Sequence, residues 1–366
     1  MELNFGKKDL VDNLDIGGMF AGKAKSLPIL DCVKIKAYSD HVVFISSDVE
    51  NTISKRMDVS NENVDDLSFC ANFKDLYQYV RLAAGDNVKL TVSDSSVVVS
   101  HKRGKMELPT YDADSFPIPE RESDEKDISM RSDLLSDWIS DGKDFISTDS
   151  LRPILTQIYF YSDGKEIGAC ASDGHALYTN HIDMSMEKFE FTLGKGAFQA
   201  VFGLCKEVEN VSIKVGERSV MFMGDGMTLI SRMAEGRFPN FKRIIPSNNP
   251  IDAIVDRSDL ISAIERCKLG ANQNSMLAKV NIDGMDLDLS CQDIDYSKKT
   301  IEHLGVESNG NIVIGFKASL LGMILSKVST PTALISLSEP SKPCLIKDND
   351  PSSNKMMLLM PMMLMD

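Results

Sequence analysis

No apolar run approaches the roughly 20 residues that a membrane-spanning helix needs. The first ten residues, MELNFGKKDL, lack the apolar centre of a secretory leader. Seven cysteines (Cys32, Cys70, Cys170, Cys205, Cys267, Cys291, Cys344) are scattered without a CxxC pair, so neither a zinc site nor a disulfide framework is indicated. A reduced cytoplasmic setting fits that usage. P-loop, dinucleotide fingerprint and nucleophile elbow are all missing, and Gly194-Lys195-Gly196 is too short a glycine pattern to hold a nucleotide. With one tryptophan and 7% aromatic residues there is no aromatic-rich platform for single strands. The formal charge of -14 excludes a surface that is basic all round, though not a basic patch facing one way.

What the sequence has is repetition. KKDLVDNL (residues 7–14), RSDLLSDW (131–138) and RSDLISAI (257–264) share one helical apolar pattern. Asp9, Asp133 and Asp259 hold matching places about 125 residues apart, near the usual size of a domain. Two strand-like runs follow each helix: ILDCVKIKAY and HVVFISSDVE, ILTQIYFYSD and EIGACASDGH, then LAKVNIDG and LDLSCQDID. The second run of each pair closes on an aspartate, Asp48, Asp173 or Asp293. A second helix recurs as FKDLYQYVRLAAG, KGAFQAVFGLCKE and FKASLLGMILSKV, each trailed by further strands, the last being MMLLMPMMLM.

The segment EGRFPNFKRIIP (Glu235–Pro246), echoed by LPTYDADSFPIP (Leu108–Pro119), marks where a unit ends. Proline removes a backbone donor and restrains the residue before it, so each segment reads as an extended exit from a sheet. The charged run PERESDEKD and the turn-forming PSNNP then act as linkers. This predicts three α+β domains, 1–122, 123–248 and 249–366, each with two helices packed on one face of antiparallel sheets.

Four stretches, LPIL (Leu27–Leu30), ASDGHAL (Ala171–Leu177), EGRFPNFKRIIP and LLMPMML (Leu358–Leu364), fall in the order and spacing of one family. Through them the whole chain resembles the bacterial DNA polymerase III beta subunits, the sliding clamps. The resemblance implies a ring-forming DNA-clamp fold and a head-to-tail homodimer that encircles double-stranded DNA without reading its sequence. It also implies partners, the DNA polymerase III alpha subunit, the clamp loader and other proteins with a clamp-binding motif, and no catalysis, metal or cofactor.

By the same resemblance, partner peptides enter a groove formed by Leu155, Ser172, Gly174, His175 and Leu177, by Pro239, Arg243 and Ile244, by Leu358, Leu359, Met360, Pro361 and Met362, and by Pro343. Leucine, proline and methionine suit an apolar groove with a few polar anchors, and six methionines among the last eleven residues suit one that re-packs around several ligands. Ala176 stands where the family often has arginine, and Met363 where it is often basic, so the groove is expected to be unusually apolar.

Lys7, Lys8, Lys74, Arg81, Lys195, Lys206, Arg266, Lys268, Lys317 and Lys327, on the helix candidates, are expected to face DNA, with Lys23 and Lys25 beside Ala24. Long flexible cations touch phosphates without reading bases, which permits sliding. Met106 and Leu108 are expected at the subunit contact, opposite Leu269. Two other readings stay open. A hydrolase would use Asp173 and His175, although His175 and His181 lack the spacing of a helical zinc pair. A repeat scaffold would bind proteins without encircling DNA.

Overall fold

A computed structural model of the chain describes residues 1–24, 27–59, 66–119, 122 and 125–364. One order of elements runs three times. The first run is β1 (Glu2–Gly6), α1 (Lys7–Gly17), β2 (Cys32–Ala37), β3 (His41–Ser47), β4 (Asn51–Asp58), β5 (Leu67–Asn72), α2 (Phe73–Leu82), β6 (Asn87–Val92), β7 (Ser96–His101) and β8 (Gly104–Tyr111). The second is β9 (Lys126–Arg131), α3 (Ser132–Gly142), β10 (Gln157–Ser162), β11 (Glu166–Ser172), β12 (Ala176–Asp183), β13 (Phe189–Gly194), α4 (Phe198–Glu207), β14 (Asn210–Val215), β15 (Ser219–Gly224) and β16 (Met227–Arg232). The third is β17 (Ile251–Asp256), α5 (Arg257–Lys268), β18 (Leu277–Asp283), β19 (Asp286–Asp293), β20 (Lys298–Gly305), β21 (Glu307–Ser308), β22 (Ile312–Lys317), α6 (Ala318–Ser326), β23 (Thr332–Leu337), β24 (Cys344–Asp348) and β25 (Met356–Leu359).

The chain packs as two compact units. In the first, Met1–Asp137 with Leu193–Ala234, twelve antiparallel strands run in the order β1-β6-β7-β8-β5-β2-β3-β4-β16-β15-β14-β9. Strand alternation drives Leu3, Phe5, Val88, Leu90, Val97 and Val99 inward. Leu10 and Leu14 on α1, and Leu76 and Val80 on α2, are spaced i, i+4 and meet the same core. Asn72 caps α2 by accepting from Asp75 N at 3.1 Å. In the second unit, Trp138–Thr192 with Glu235–Asp366, one sheet has the order β13-β10-β11-β12-β25-β24-β23-β17-β21 and another β20-β19-β18-β22. Asp256 caps α5, which packs beside α6.

One pairing rule recurs. The third hairpin strand of a run is joined by the last strand of the next run. Thr52 on β4 faces Ile230 on β16, and Leu177 on β12 faces Leu358 on β25. Among the described residues the rule leaves two strand edges over: β20 pairs only with β19, and β8 from Gly104 to Pro109 pairs only with β7.

The three aspartates expected at equivalent places are not all equivalent. β3 ends at Ser47 and β11 at Ser172, so Asp48 and Asp173 are turn residues, whereas β19 ends on Asp293 itself. Register makes Asp293 the counterpart of the two serines: Ser47 faces Thr52, Ser172 faces Leu177 and Asp293 faces Lys298, each across a four-residue turn. Asp293 also replaces the serine hydroxyl chemically, since its Oδ1 accepts the amide two residues on at 3.1 Å, as Ser47 Oγ does at 3.2 Å.

Candidate functional site

In the second unit the predicted groove residues come from three local structures. The first is the β11–β12 turn. Asp173 Oδ1 accepts the amides of His175 and Ala176, both at 2.8 Å, and Ser172 Oγ donates to the Ala176 carbonyl at 2.8 Å. Gly174 sits at φ +91°, where a side chain would be strained. Asp173 is thereby occupied in building the turn and does not orient the imidazole, which removes the geometric basis for an Asp173–His175 catalytic pair.

The second is the tail. Leu177 and Leu358 are buried in one apolar cluster with Phe241, Leu155 is just buried, and Leu359 is wholly internal. After β25 the chain turns outward: Met360 N donates to His175 O at 2.8 Å and Met362 N to Gly315 O at 2.7 Å. A Cβ on residue 315 would lie 2.6 Å from the Met362 carbonyl oxygen, so only glycine admits this approach. Met360, Pro361 and Met362 stay partly exposed and Met363 almost fully, leaving thioethers available on the surface.

The third is the exit segment. Phe238 stacks on Tyr159 with centroids 4.8 Å apart, and Phe241 tilts against Tyr161 at 5.7 Å. Lys242 Nζ reaches Glu166 at 2.7 Å and Asp163 at 3.2 Å, while Tyr161 donates to Glu166 at 2.8 Å. The Asp163 carboxyl is held down to about 2, first by the Lys165 and Glu166 amides and then by Lys242. Glu166 is also lowered: burial opposes ionisation, but Lys242 and Tyr161 outweigh it. Burial chiefly raises Tyr161. This anchoring leaves Pro239, Arg243 and Ile244 exposed and available to a ligand. Pro343 is half-buried, immediately before Cys344, which faces Leu359.

A cavity of about 390 Å³ adjoins the turn, lined by Ile146, Ser147, Thr148, Asp149 and Arg152 together with Asp173, Gly174 and His175. The 146–152 side was missed in the sequence. Its signal was the Pro-Ile-Leu turn at Pro153–Thr156, which repeats that at Pro28–Asp31. Ala176 departs from expectation as well. Its methyl is 1% exposed, facing inward from β12, so it adds no apolar surface to the groove. Glu166, His181 and Asp183 bring ligand atoms within 4.8 Å of one another, but the Lys242 ammonium on Glu166 already supplies the positive charge there.

The expected DNA-facing cations divide. Lys8, Lys23, Lys74, Arg81, Lys195, Lys206 and Lys317 are exposed. Lys7 is half-buried and donates to Ala83 O at 2.7 Å. Lys25 lies outside the described residues. Arg266 is bound to Glu302 (Nε–Oε2 2.8 Å) and Lys268 to Glu265 (2.9 Å). Lys327 corrects the expectation: its side chain is 14% exposed and held by Asp144 at 2.5 Å and Ser140 O at 3.0 Å, so it is a structural cation rather than a free one. Of the expected contact residues, Leu269 is 76% exposed, Met106 is half-buried, and Leu108, at 4%, belongs to the first unit's core. Leu82, Tyr296 and Ile301 are further exposed apolar side chains that the repeat pattern did not single out.

Family models match the chain almost end to end: the DNA polymerase III beta subunit N-terminal domain over residues 1–120, the central domain over 130–240 and the C-terminal domain over 242–363. The beta sliding clamp of Staphylococcus aureus strain Mu50 is 23% identical over 349 residues, covering 91% of this chain and 92% of that protein. That of Staphylococcus epidermidis is 24% identical over 347 residues, with the same coverage. The crystal structure of the Pseudomonas aeruginosa DNA polymerase III subunit beta superposes with a TM-score of 0.93 at 20% identity over the full length of both chains, and that of Thermotoga maritima with 0.88 at 19%, also full length. The fold is the three-domain clamp fold, and the chain belongs to the DNA polymerase III beta subunit family, the non-catalytic sliding clamps.

Proposed function

We propose that two copies of this chain join head to tail around duplex DNA and hold the replicative polymerase and other proteins on it. Each copy would contribute three domains, 1–122, 123–248 and 249–366. Partner proteins, among them the polymerase alpha subunit and the clamp loader, would insert an extended peptide beside Leu177, His175, Arg243 and Met362.

The observation that carries this reading is the pair of leftover edges. Twice within the chain a third hairpin strand is completed by the last strand of the following run. The third run's hairpin strand, β20, and the first run's last strand, β8, lack that completion. Each supplies what the other needs, and exposed edges of this kind pair readily. Extending the internal register sets Lys298 opposite Glu107, an opposite-charge cross-strand pair. Leu82, Leu269 and Ile301 would be covered in the process.

DNA would be retained by topology, with weak support from Lys8, Lys74, Arg81, Lys195, Lys206 and Lys317. The deciding experiment loads the protein onto nicked circular DNA with a loader and ATP. Retention that disappears on linearising the circle is expected, and equal retention on both forms would end this reading. A scaffold that binds peptides but never encircles DNA is favoured by one observation: Arg266, Lys268 and Lys327 are engaged with acids. In that case the circle would retain nothing.

A further inference from the structure

We infer that the first unit carries a second peptide-docking cleft, built like the first but selecting a basic rather than a neutral ligand. The inference rests on the peptide-binding reading of the cleft beside His175. It starts from a cavity of about 680 Å³ lined by Leu27, Val49, Glu50, Ile118, Glu217 and Ile230, together with Arg218 and Arg232.

Four hydrogen bonds around this cavity have counterparts in the other cleft. Leu30 N donates to Leu27 O at 3.0 Å, as Leu155 N does to Arg152 O at 3.0 Å. Asn51 N donates to Asp48 Oδ1 at 2.7 Å, matching Ala176 and Asp173 at 2.8 Å. Ser47 Oγ donates to Asn51 O at 3.1 Å, as Ser172 does to Ala176 at 2.8 Å. Arg232 N donates to Glu50 O at 2.9 Å, as Met360 N does to His175 O at 2.8 Å. Phe116-Pro117 closes the first cleft's exit segment as Phe238-Pro239 closes the other.

Two side-chain features point to a ligand. Val49 takes φ +80° at the position where the other turn has Gly174. A β-branched residue is costly there, and its side chain is not used in a core: it is 42% exposed and lines the cavity with Leu27 at 46% and Ile118 at 40%. Three aliphatic side chains are thus held outward around one concavity, which suits aliphatic anchors of an extended segment. The aligned polar corner differs in charge. Where one cleft presents the His175 imidazole, this one presents the Glu50 carboxylate, and its lining carries three carboxylates (Glu50, Glu122, Glu217) against two arginines (Arg218, Arg232). Glu122 is taken up by the Glu217 and Arg218 amides and by Ser219, which leaves Glu50 and Glu217 to face a ligand. The occupant is therefore an extended partner segment with aliphatic anchors and an adjacent lysine or arginine set against Glu50.

The test uses the full chain and fluorescence anisotropy of two labelled peptides, KKLIVG and EELIVG. KKLIVG is expected to bind saturably and at least tenfold more tightly than EELIVG. Val49→Gly relieves the backbone and so keeps the fold, yet should weaken KKLIVG at least fivefold. Glu50→Lys should do the same and narrow the gap between the peptides. Met362→Asp, in the other cleft, should leave KKLIVG unchanged while weakening a leucine/phenylalanine-containing clamp-binding peptide. The inference is overturned if KKLIVG does not bind, if it ignores Val49→Gly and Glu50→Lys, or if only Met362→Asp releases it. Failure of the clamp-binding peptide to respond to Met362→Asp counts against the proposed function instead, so the two failures are separable.

Discussion

At the scale of single residues, close approach and buried charge make the sharpest demands. Gly315 lets the tail cross the edge of β22, and a methyl at that position would meet the Met362 carbonyl oxygen at 2.6 Å and Leu364 at 2.9 Å. Gly315→Ala should shift residues 360–364 and weaken a groove-bound peptide about tenfold, at a stability cost of about 1–3 kcal/mol for overpacking; titration of a labelled peptide checks the first and urea unfolding the second. Lys355 is 7% exposed, and its ammonium meets Ser329 Oγ and Lys327 O, each at 2.6 Å, with Asp141 at 3.4 Å and the buried Asp348 at 3.9 Å. Lys355→Met leaves those acceptors without their cation and should destabilise the chain by about 3–5 kcal/mol, read as a lowered urea midpoint with unchanged slope. Reading residues from the sequence worked where chemistry is local. The extended exit segment that carries Arg243 is legible as a short proline-containing motif. The role of Lys327 is not, because its partner Asp144 is brought up by packing that no spacing along the chain announces.

At the scale of elements, the exit segment has a pH-sensitive anchor. Its anchor, Lys242 on Asp163 and Glu166, has both carboxyls lowered and the ammonium raised against a desolvation penalty. A lowered carboxyl stabilises above its unfolded value and loses that contribution as pH falls through its folded value. For Asp163 the loss therefore runs from the ordinary 3.8 down to about 2. The lysine contribution is complete below its ordinary 10.5 and is lost as pH rises beyond it. Amide exchange across residues 238–245, corrected for intrinsic rates, is expected to be flat from about pH 5 to 9 and to quicken on the acid side first; Lys242→Met should shrink that acid step without removing it, since the Lys165 and Glu166 amides still hold Asp163 down. The six helices and most strands were legible as apolar periods. The short strands ahead of the helices, β1, β5, β9, β13, β17 and β22, were not, since each adds only five or six residues to a helical pattern. The third hairpin strands β4, β12 and β20 were also missed. β20 buries no side chain completely and so carries no apolar signature; it is a strand through its pairing with β19.

At the scale of the whole molecule, the prediction concerns assembly. If β8 and β20 pair between copies in the internal register, Glu107→Lys alone sets two lysines opposite each other, and Lys298→Glu restores the attraction. Sedimentation should show the single variant dissociating about tenfold more readily than the parent and the double variant recovering most of that loss, in keeping with the modest strength of one cross-strand pair. Recovery should fade as salt rises, because both groups lie at a solvated edge. Equal dissociation of single and double variants would exclude this register. Threefold repetition was readable from the sequence because matching helices recur at near-constant spacing. The hand-over of strands between runs was not, because pairing across about 180 residues leaves no local mark.

The unfilled edges have a consequence for how growth stops. If copies join through β8 and β20 as proposed, each one added covers one vacancy and brings another on its own β20, so the count of vacancies would never fall by simple addition. Only a circuit that returns to its starting copy removes the last two. Tightening the joint alone would then lengthen open strings as readily as it would favour closed circles. The number of copies at which growth ends is governed by the angle each one adds.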